Sequence, residues 1–351
     1  MNLYKLIFKI IFIIFIVFSL FFKENLSLYA KKISDKKIPN IIIIMLNGVR
    51  NIESIEDPTH QYIPNLWNKM RREGVLYTNL VNLNSEFHVP AADAVITGKN
   101  YPFYRRINTP SIFQYIRKKY ALPANRLWSI GNWYYNDRVY EADDYSKDTY
   151  PSQMSMPQLK LSAELESVLT KQETMFIEFF KEFRRLEIIK SLYFYIHWDS
   201  MDEVYYRVFK RVIEKFKPKF IFYMPMATDS AHYGTFSRYT LALKHNDERI
   251  FEIWQMINRD PFYKDNTYLV VCPDHGRNLY YRHHNENTYN NPSSVWMYIY
   301  GPDIKKGVIV DRIVHHIDIF STLAYIMDIE TEASEGRILQ DCFRKNAFSD
   351  S

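Results

Sequence analysis

Three stretches of this sequence concentrate the residue types that hold divalent cations or move protons. Asp274 and His275 stand together in "VCPDHGR", directly after the apolar run Tyr268–Cys272. Asp229 and His232 stand close together in "TDSAHYG", after the apolar "KFIFYMPM". His283 and His284 follow in the polar stretch "YRHHNENTYNNP", and Asn47 ends the run "NIIIIMLNGVR". An Asp-His pair at the end of a strand can be a metal-ligand pair, an acid/base pair, or a turn with a capping carboxylate. His232 can equally cap a following helix, and paired histidines in a polar loop are often only solvated. Carboxylates and imidazoles converging from separate strand ends suit a divalent metal such as zinc.

The elements that must position these residues are legible as periodicity. "NIIIIML", "VLYTNLV", "RLWSIG", "KFIFYM", "TYLVVC" and "SSVWMYIY" are apolar and β-branched or aromatic, as expected of strands covered on both faces. "IPNLWNKMRREGV" predicts a short helix, and "VPAADAVITG" a helix ending at Gly98. "SIFQYIRKKY", "YTLALKHNDERIFEIWQMI" and "IDIFSTLAYIMDI" predict further helices by their three- and four-residue apolar spacing. Between about 140 and 217 two long helical patterns form an insertion. Alternating strands and helices predict an α/β fold, a doubly wound and mostly parallel sheet with helices on both faces. Three strands then end in Asn47, Asp229 with His232, and Asp274 with His275, where open parallel sheets place their ligand sites.

From about Asn40 to Ile329 the chain resembles the alkaline phosphatase superfamily, which contains phosphodiesterases, sulfatases and cofactor-independent phosphoglycerate mutases. The likeness rests on "NGVR", "ITG", "DSAH", "PDHGR", a histidine before "GPDIKKG", and "DIFSTL", all in the family order. It implies hydrolysis of a phosphate or sulfate ester at two metal ions, most often zinc. Asp229, His232 and His284 match the ligands of one ion. Asp274 and His275 match most of the other set, with Asn47 at the position of its remaining ligand.

Three departures from the family pattern bear on the chemistry. Asn47 stands where an aspartate is usual, which removes an anionic ligand and weakens the second metal site. His88 stands where a Thr, Ser or Cys nucleophile is usual, ten residues before Gly98, while Ser85 lies one helical turn out of place. In "DSAH" the aspartate is three residues before the histidine, where many members have four. The resemblance therefore implies one of two things. Either a metal-dependent hydrolase survives, with His88 as an unusual nucleophile or an extra ligand or with water attacking directly, or the chain is a degenerate member that binds metal or an anionic ligand without turnover.

Composition excludes other classes. The net charge of +5, from 45 basic and 40 acidic residues among 351, is too small and dispersed to favour nucleic acid. At the N-terminus, Lys5 and Lys9 flank the apolar stretch 10–22, and Ala30 precedes the Lys-rich spacer 31–39. This reads as a secretory signal with cleavage after Ala30, or as an uncleaved anchor that associates the chain with a membrane. The body, 40–351, is expected in the periplasm or otherwise outside the cytoplasm, acting on a small phosphate- or sulfate-ester substrate or binding an anionic ligand. Cys272 and Cys342 are too few for a disulfide framework.

Overall fold

Seven consecutive residues, Asn40–Leu46, are buried without a break, and they form the central strand β1. In the computed structural model the described residues are 38–83, 88–100, 109–132, 152–156, 162–185, 190–232, 234–278, 294–331 and 334–344. Residues 39–351 form one compact unit. The strands are β1 (Asn40–Leu46), β2 (Val75–Val81), β3 (Leu127–Asn132), β4 (Ser152–Met156), β5 (Phe220–Met224), β6 (Thr267–Pro273), β7 (Val295–Tyr300) and β8 (Val308–His315). They make one sheet in the order β4-β3-β5-β1-β6-β7-β2-β8. Among the described residues β7 alone runs antiparallel, to both β6 and β2.

This order decides where chemistry can occur. β5 and β6 flank β1 on either side, and both pairings are parallel. Ile44 pairs with Tyr223 and Leu46 with Pro273, so the C-terminal ends of the three strands lie side by side. Open α/β sheets place their ligand sites outside such carboxyl ends. All three strands are buried on both faces, which is why they read as continuous apolar runs and not as alternating patterns.

Helices α1 (His88–Thr97), α2 (Ile112–Tyr120), α3 (Lys171–Arg185), α4 (Lys190–Phe216), α5 (Phe236–Arg259) and α6 (His316–Ile326) cover the sheet. The core under them is rich in aromatics: Trp128, Trp296, Tyr223, Tyr298 and Phe209 are essentially inaccessible. The phenol of Tyr298 donates to the Met70 carbonyl at 2.7 Å, so its burial leaves no unmet donor.

The short helix expected after Pro64 is a π turn, Leu66–Met70, running into a 3-10 turn, Arg71–Glu73. Asp247 of α5 sets its start by accepting from the backbone N–H of Asn65 at 2.9 Å and of Leu66 at 2.8 Å. The stretch 140–217 holds α3 and α4 as its periodicity implies, and also contributes β4 to the edge of the main sheet. β8 was not legible as a strand. Its exposed edge position gives "VIVDRIVH" no continuous apolar signal.

Candidate functional site

The loop that leaves β1 carries Asn47 and Gly48. Gly48 adopts φ +55, a left-handed conformation that costs other residues energy. Its N–H donates to Asp274 Oδ1 at 2.7 Å, which ties the end of β1 to the end of β6. The same carboxylate oxygen accepts from the His275 N–H at 2.8 Å. Asp274 is fully buried, and its other oxygen, Oδ2, lies 2.6 Å from His88 Nδ1. Burial alone would raise the Asp274 carboxyl. The neighbouring His275 and His88, with the His88 and Gly48 hydrogen bonds, hold it well below the usual carboxylate range.

His275 is oriented by its own loop. Its Nδ1 lies 2.6 Å from the Gly276 carbonyl, which fixes the proton there and leaves the Nε2 lone pair facing inward. Nε2 then stands 3.0 Å from His88 Nδ1 and 3.6 Å from Asp274 Oδ1. His88 begins α1, and its ring sits between two carboxylates, with Nε2 3.4 Å from Asp229 Oδ2. Burial would lower the His88 pKa, but Asp229 and Asp274 overcome that and raise it to about 10.

Asp229 and His232 lie on the 3-10 turn Ala227–His232 after β5. The turn is held by Asp202 of α4, a fully buried carboxylate that accepts from the Met226 N–H at 2.6 Å and the Ala227 N–H at 2.7 Å. Asp229 Oδ1 accepts from Arg277 Nη2 at 2.5 Å and lies 3.2 Å from His232 Nε2. Arg277 Nη1 is 3.2 Å from that same His232 nitrogen, and Arg277 Nε donates to the Gly48 carbonyl at 2.6 Å. Burial raises the Asp229 carboxyl, and the charges and hydrogen bonds of His88, His232 and Arg277 outweigh it, holding it well below its ordinary value.

The fold thus brings together His88, Asp229, His232, Asp274 and His275, with Asn47 beside them. His283 and His284 lie outside the described residues. Three residues that hold the site had no role assigned from sequence. Arg277 was visible only as the last letter of "PDHGR". Asp202 carried a usable signal, an acid on the helix face that also presents Met201, Tyr205 and Val208 to the core. His316, buried at the start of α6, bonds through Nε2 to the Pro273 carbonyl at 2.9 Å, and so braces the end of β6. Burial lowers its pKa, which keeps it neutral.

Two groups of side chains present metal-ligating atoms to one another: His88 with Asp274 and His275, and His88 with Asp229 and His232. The first fits a divalent ion. His88 Nδ1 lies 2.6 Å from Asp274 Oδ2 and 3.0 Å from His275 Nε2, and all three ligand atoms lie within 4.8 Å of one another. Asn47 adds an observation of its own. Its Nδ2 donates to the Pro225 carbonyl at 2.5 Å, and its buried Oδ1 has no hydrogen-bond partner among the described residues. A buried acceptor left without a donor costs roughly 1–3 kcal/mol, which a cation at this position would offset. The second group does not fit in the same way, because a guanidinium already contacts Asp229 and His232.

Solved structures with this architecture include a protein of the alkaline phosphatase superfamily from Vibrio parahaemolyticus, 15% identical, with TM-score 0.58, over 89% of this chain and 72% of that one. A phosphonate monoester hydrolase from Silicibacter pomeroyi is also 15% identical, with TM-score 0.58, over 89% of this chain and 78% of its own. The lipoteichoic acid synthase LtaP from Listeria monocytogenes is 14% identical, with TM-score 0.55, over 85% and 74%. No curated protein matches the sequence. The sequence profile of the sulfatases matches residues 39–329, which takes in every strand of the sheet and the whole of the site, and this chain belongs to the sulfatase family.

Proposed function

We propose that this protein is an exported, metal-dependent hydrolase of a phosphate or sulfate ester. The observation that carries the reading is the cluster at the ends of β1 and β6. His88 Nδ1, Asp274 Oδ2 and His275 Nε2 face one another inside a family fold whose named relatives include sulfatases and a phosphonate monoester hydrolase. His88, Asp274 and His275 would hold a divalent ion, and Asn47 directly precedes the Gly48 that bonds Asp274. When bound, such an ion supplies positive charge that polarises an ester oxygen and offsets developing negative charge.

The chain's own residues set the rest. Gly48 and His275 N–H groups fix one Asp274 oxygen, which leaves the other to His88. The Gly276 carbonyl fixes the His275 tautomer. His88 occupies the position where the family has a hydroxyl nucleophile, yet its Nδ1 is taken up by Asp274 and His275. Attack is therefore assigned to water. The water oxygen bonds to phosphorus or sulfur, the ester oxygen departs with its alcohol, and a proton lost by the water goes to that oxygen.

The test is a panel of aryl phosphate, bis-aryl phosphate and aryl sulfate, with zinc, manganese or calcium added. At least one class should turn over above background, and His275→Ala should lose that turnover. Inactivity of a folded, metal-loaded chain on all three sinks the reading. It would leave a second one, a member that binds an anionic ligand without turnover. That alternative is favoured by one observation, the Arg277 guanidinium already bonded within the Asp229–His232 half of the site.

Export rests on the N-terminal segment ahead of the sheet, which lies outside the described residues. Among the described residues no helix is long and apolar enough to cross a membrane. Mass spectrometry of the mature N-terminus should find Lys31 first, or an intact Met1 in the membrane fraction if the segment is an anchor. Recovery from the cytosol would contradict export.

A further inference from the structure

We propose that the sheet edge opposite the ligand-type cluster is a membrane-contacting face, whose cations and half-buried aromatics rest on an anionic lipid headgroup layer. The inference goes beyond the hydrolase reading and does not depend on it.

The parallel strands β3, β5, β1 and β6 all begin at this edge. The Lys219 N–H donates to the Arg126 carbonyl at 2.6 Å, the Ile41 N–H to the Lys219 carbonyl at 2.8 Å, and the Asn40 N–H to the Asn266 carbonyl at 2.8 Å. These bonds bring Arg126, Lys219 and the turn that carries Lys264 to one edge. α4 and α5 end here too, with Lys215 and Arg259 in their last turns. Cations at helix C-termini are ordinary partners of the macrodipole. That accounts for Lys215 and Arg259, but not for Arg126, Lys219 or Lys264, which lead into strands.

Acids meet this charge only in part. Lys217 pairs with Asp260, and Glu214 and Asp265 are the other carboxylates at these strand entries. Among the described residues Arg126, Lys215, Arg259 and Lys264 form no ion pair, and the buried Arg126 Nε has no hydrogen-bond partner. Aromatic rings lie with the cations. Lys219 Nζ stands 4.5 Å from the centre of the Phe262 ring, the Arg126 guanidinium 5.3 Å from it, and Lys215 Nζ 5.6 Å from the Phe216 ring. Phe216 and Phe262 are each half-buried against the core. Apolar rings under basic heads are the composition of surfaces that settle into a headgroup layer.

The order of the chain names the occupant. β1 begins at this edge, and the sequence just before it carries Lys36 and Lys37, downstream of the apolar stretch 10–22. A chain held to a bilayer by that stretch, or carried across one by it, enters its folded body at the basic edge. Each Lys or Arg brought to an anionic surface favours binding by roughly five-fold. β1 spans seven residues, each rising about 3.3 Å, so the His88–Asp274–His275 cluster lies on the side away from the bilayer. Headgroups of the contacted leaflet are therefore out of its reach.

Quenching by lipid tests the face directly. Both native cysteines are buried, so one introduced cysteine in the full-length chain takes a fluorophore alone. Pro261→Cys places it at the basic edge, and Ile52→Cys on the exposed loop at the opposite edge. The vesicles are phosphatidylcholine, with or without phosphatidylglycerol, and carry a headgroup spin label. The label at position 261 should be quenched several-fold more than the label at 52, and more strongly when phosphatidylglycerol is present. Arg126→Gln with Lys264→Gln should cut that anionic increment several-fold, while Arg126→Lys with Lys264→Arg should keep it. If the neutral pair disturbs folding by circular dichroism, Arg259→Glu with Lys264→Glu, both exposed, serves in its place. Equal quenching at the two positions, no response to phosphatidylglycerol, or an undiminished increment in a folded charge variant would overturn the proposal. Ester turnover is not part of the readout, so this proposal and the hydrolase reading fail separately.

Discussion

The Arg277 guanidinium donates from Nε to the Gly48 carbonyl at 2.6 Å, across the space that any side chain on residue 48 would fill. The link joins the end of β1 to the loop after β6 and reaches through to Asp229 on the turn after β5. Replacing Gly48 by Ala strains the left-handed backbone by about 1 kcal/mol and forces the guanidinium to move. The expected loss is about 2–4 kcal/mol in urea denaturation, once the broken buried contacts are included. An unchanged midpoint would mean that Arg277 shifts without cost.

Asp202 supports the site from beneath. Truncation to Ala leaves the Met226 and Ala227 N–H groups buried without acceptors, at roughly 1–3 kcal/mol each. Asp202→Ala should therefore lower stability by about 2–5 kcal/mol and displace Asp229, which sits on the turn these groups begin. Asp202→Asn keeps one acceptor and should fall between. Equal stability for Asp202→Ala and wild type would remove Asp202 from its positioning role.

Asn47 makes an opposite prediction for its two states. Asn47→Asp replaces the donor to the Pro225 carbonyl by an oxygen, so two acceptors meet at 2.5 Å. The metal-free variant should be less stable than wild type by about 1–3 kcal/mol. Added zinc should recover more stability in the variant than in wild type, measured as the shift in melting temperature. An equal shift would argue against a cation at this position.

Rebuilding the family pattern tests the alignment of the site. His88→Thr combined with Asn47→Asp returns a hydroxyl and a carboxylate to the positions expected of them. Aryl-ester hydrolysis should rise above that of either single variant. A folded, zinc-loaded double variant with no gain would show that His88 or Asn47 is not at the position assigned to it.

Asp341 gives a pH signature remote from the site. Arg312 grips it with two hydrogen bonds of 2.7 and 2.8 Å, and the Tyr77 hydroxyl donates at 2.7 Å. Burial would raise its pKa, but these contacts bring it below the ordinary 3.8. A carboxylate lowered in the folded state stabilises above its ordinary value, and that contribution disappears as pH falls through the lower, folded value. The pair is part-exposed, so its screened contribution is about 1 kcal/mol or less. Thermal melting from pH 6 down to pH 3 should fall more steeply in wild type than in Asp341→Asn; parallel curves would contradict the assignment.

The apolar runs of β1, β5 and β6 were readable in the sequence because each strand is covered on both faces and needs no alternation. The ligand-type residues were readable for a related reason. Polar groups immediately after such runs leave the core together, so Asn47, Asp229 and Asp274 had to emerge at strand ends. Strand order was not readable, since it depends on which buried faces pair across more than 170 residues of chain, as in Ile41 with Phe220. β8 escaped notice because Asp311 and Arg312, on an exposed edge strand, break its Val/Ile run in two. Arg277 shows the limit most clearly. Local sequence makes it one more basic residue in a loop, and solvation would be its ordinary state. Only the meeting of three strand ends supplies Asp229, His232 and the open side of Gly48 together, and their combined hydrogen bonds are what offset the cost of burying its charge.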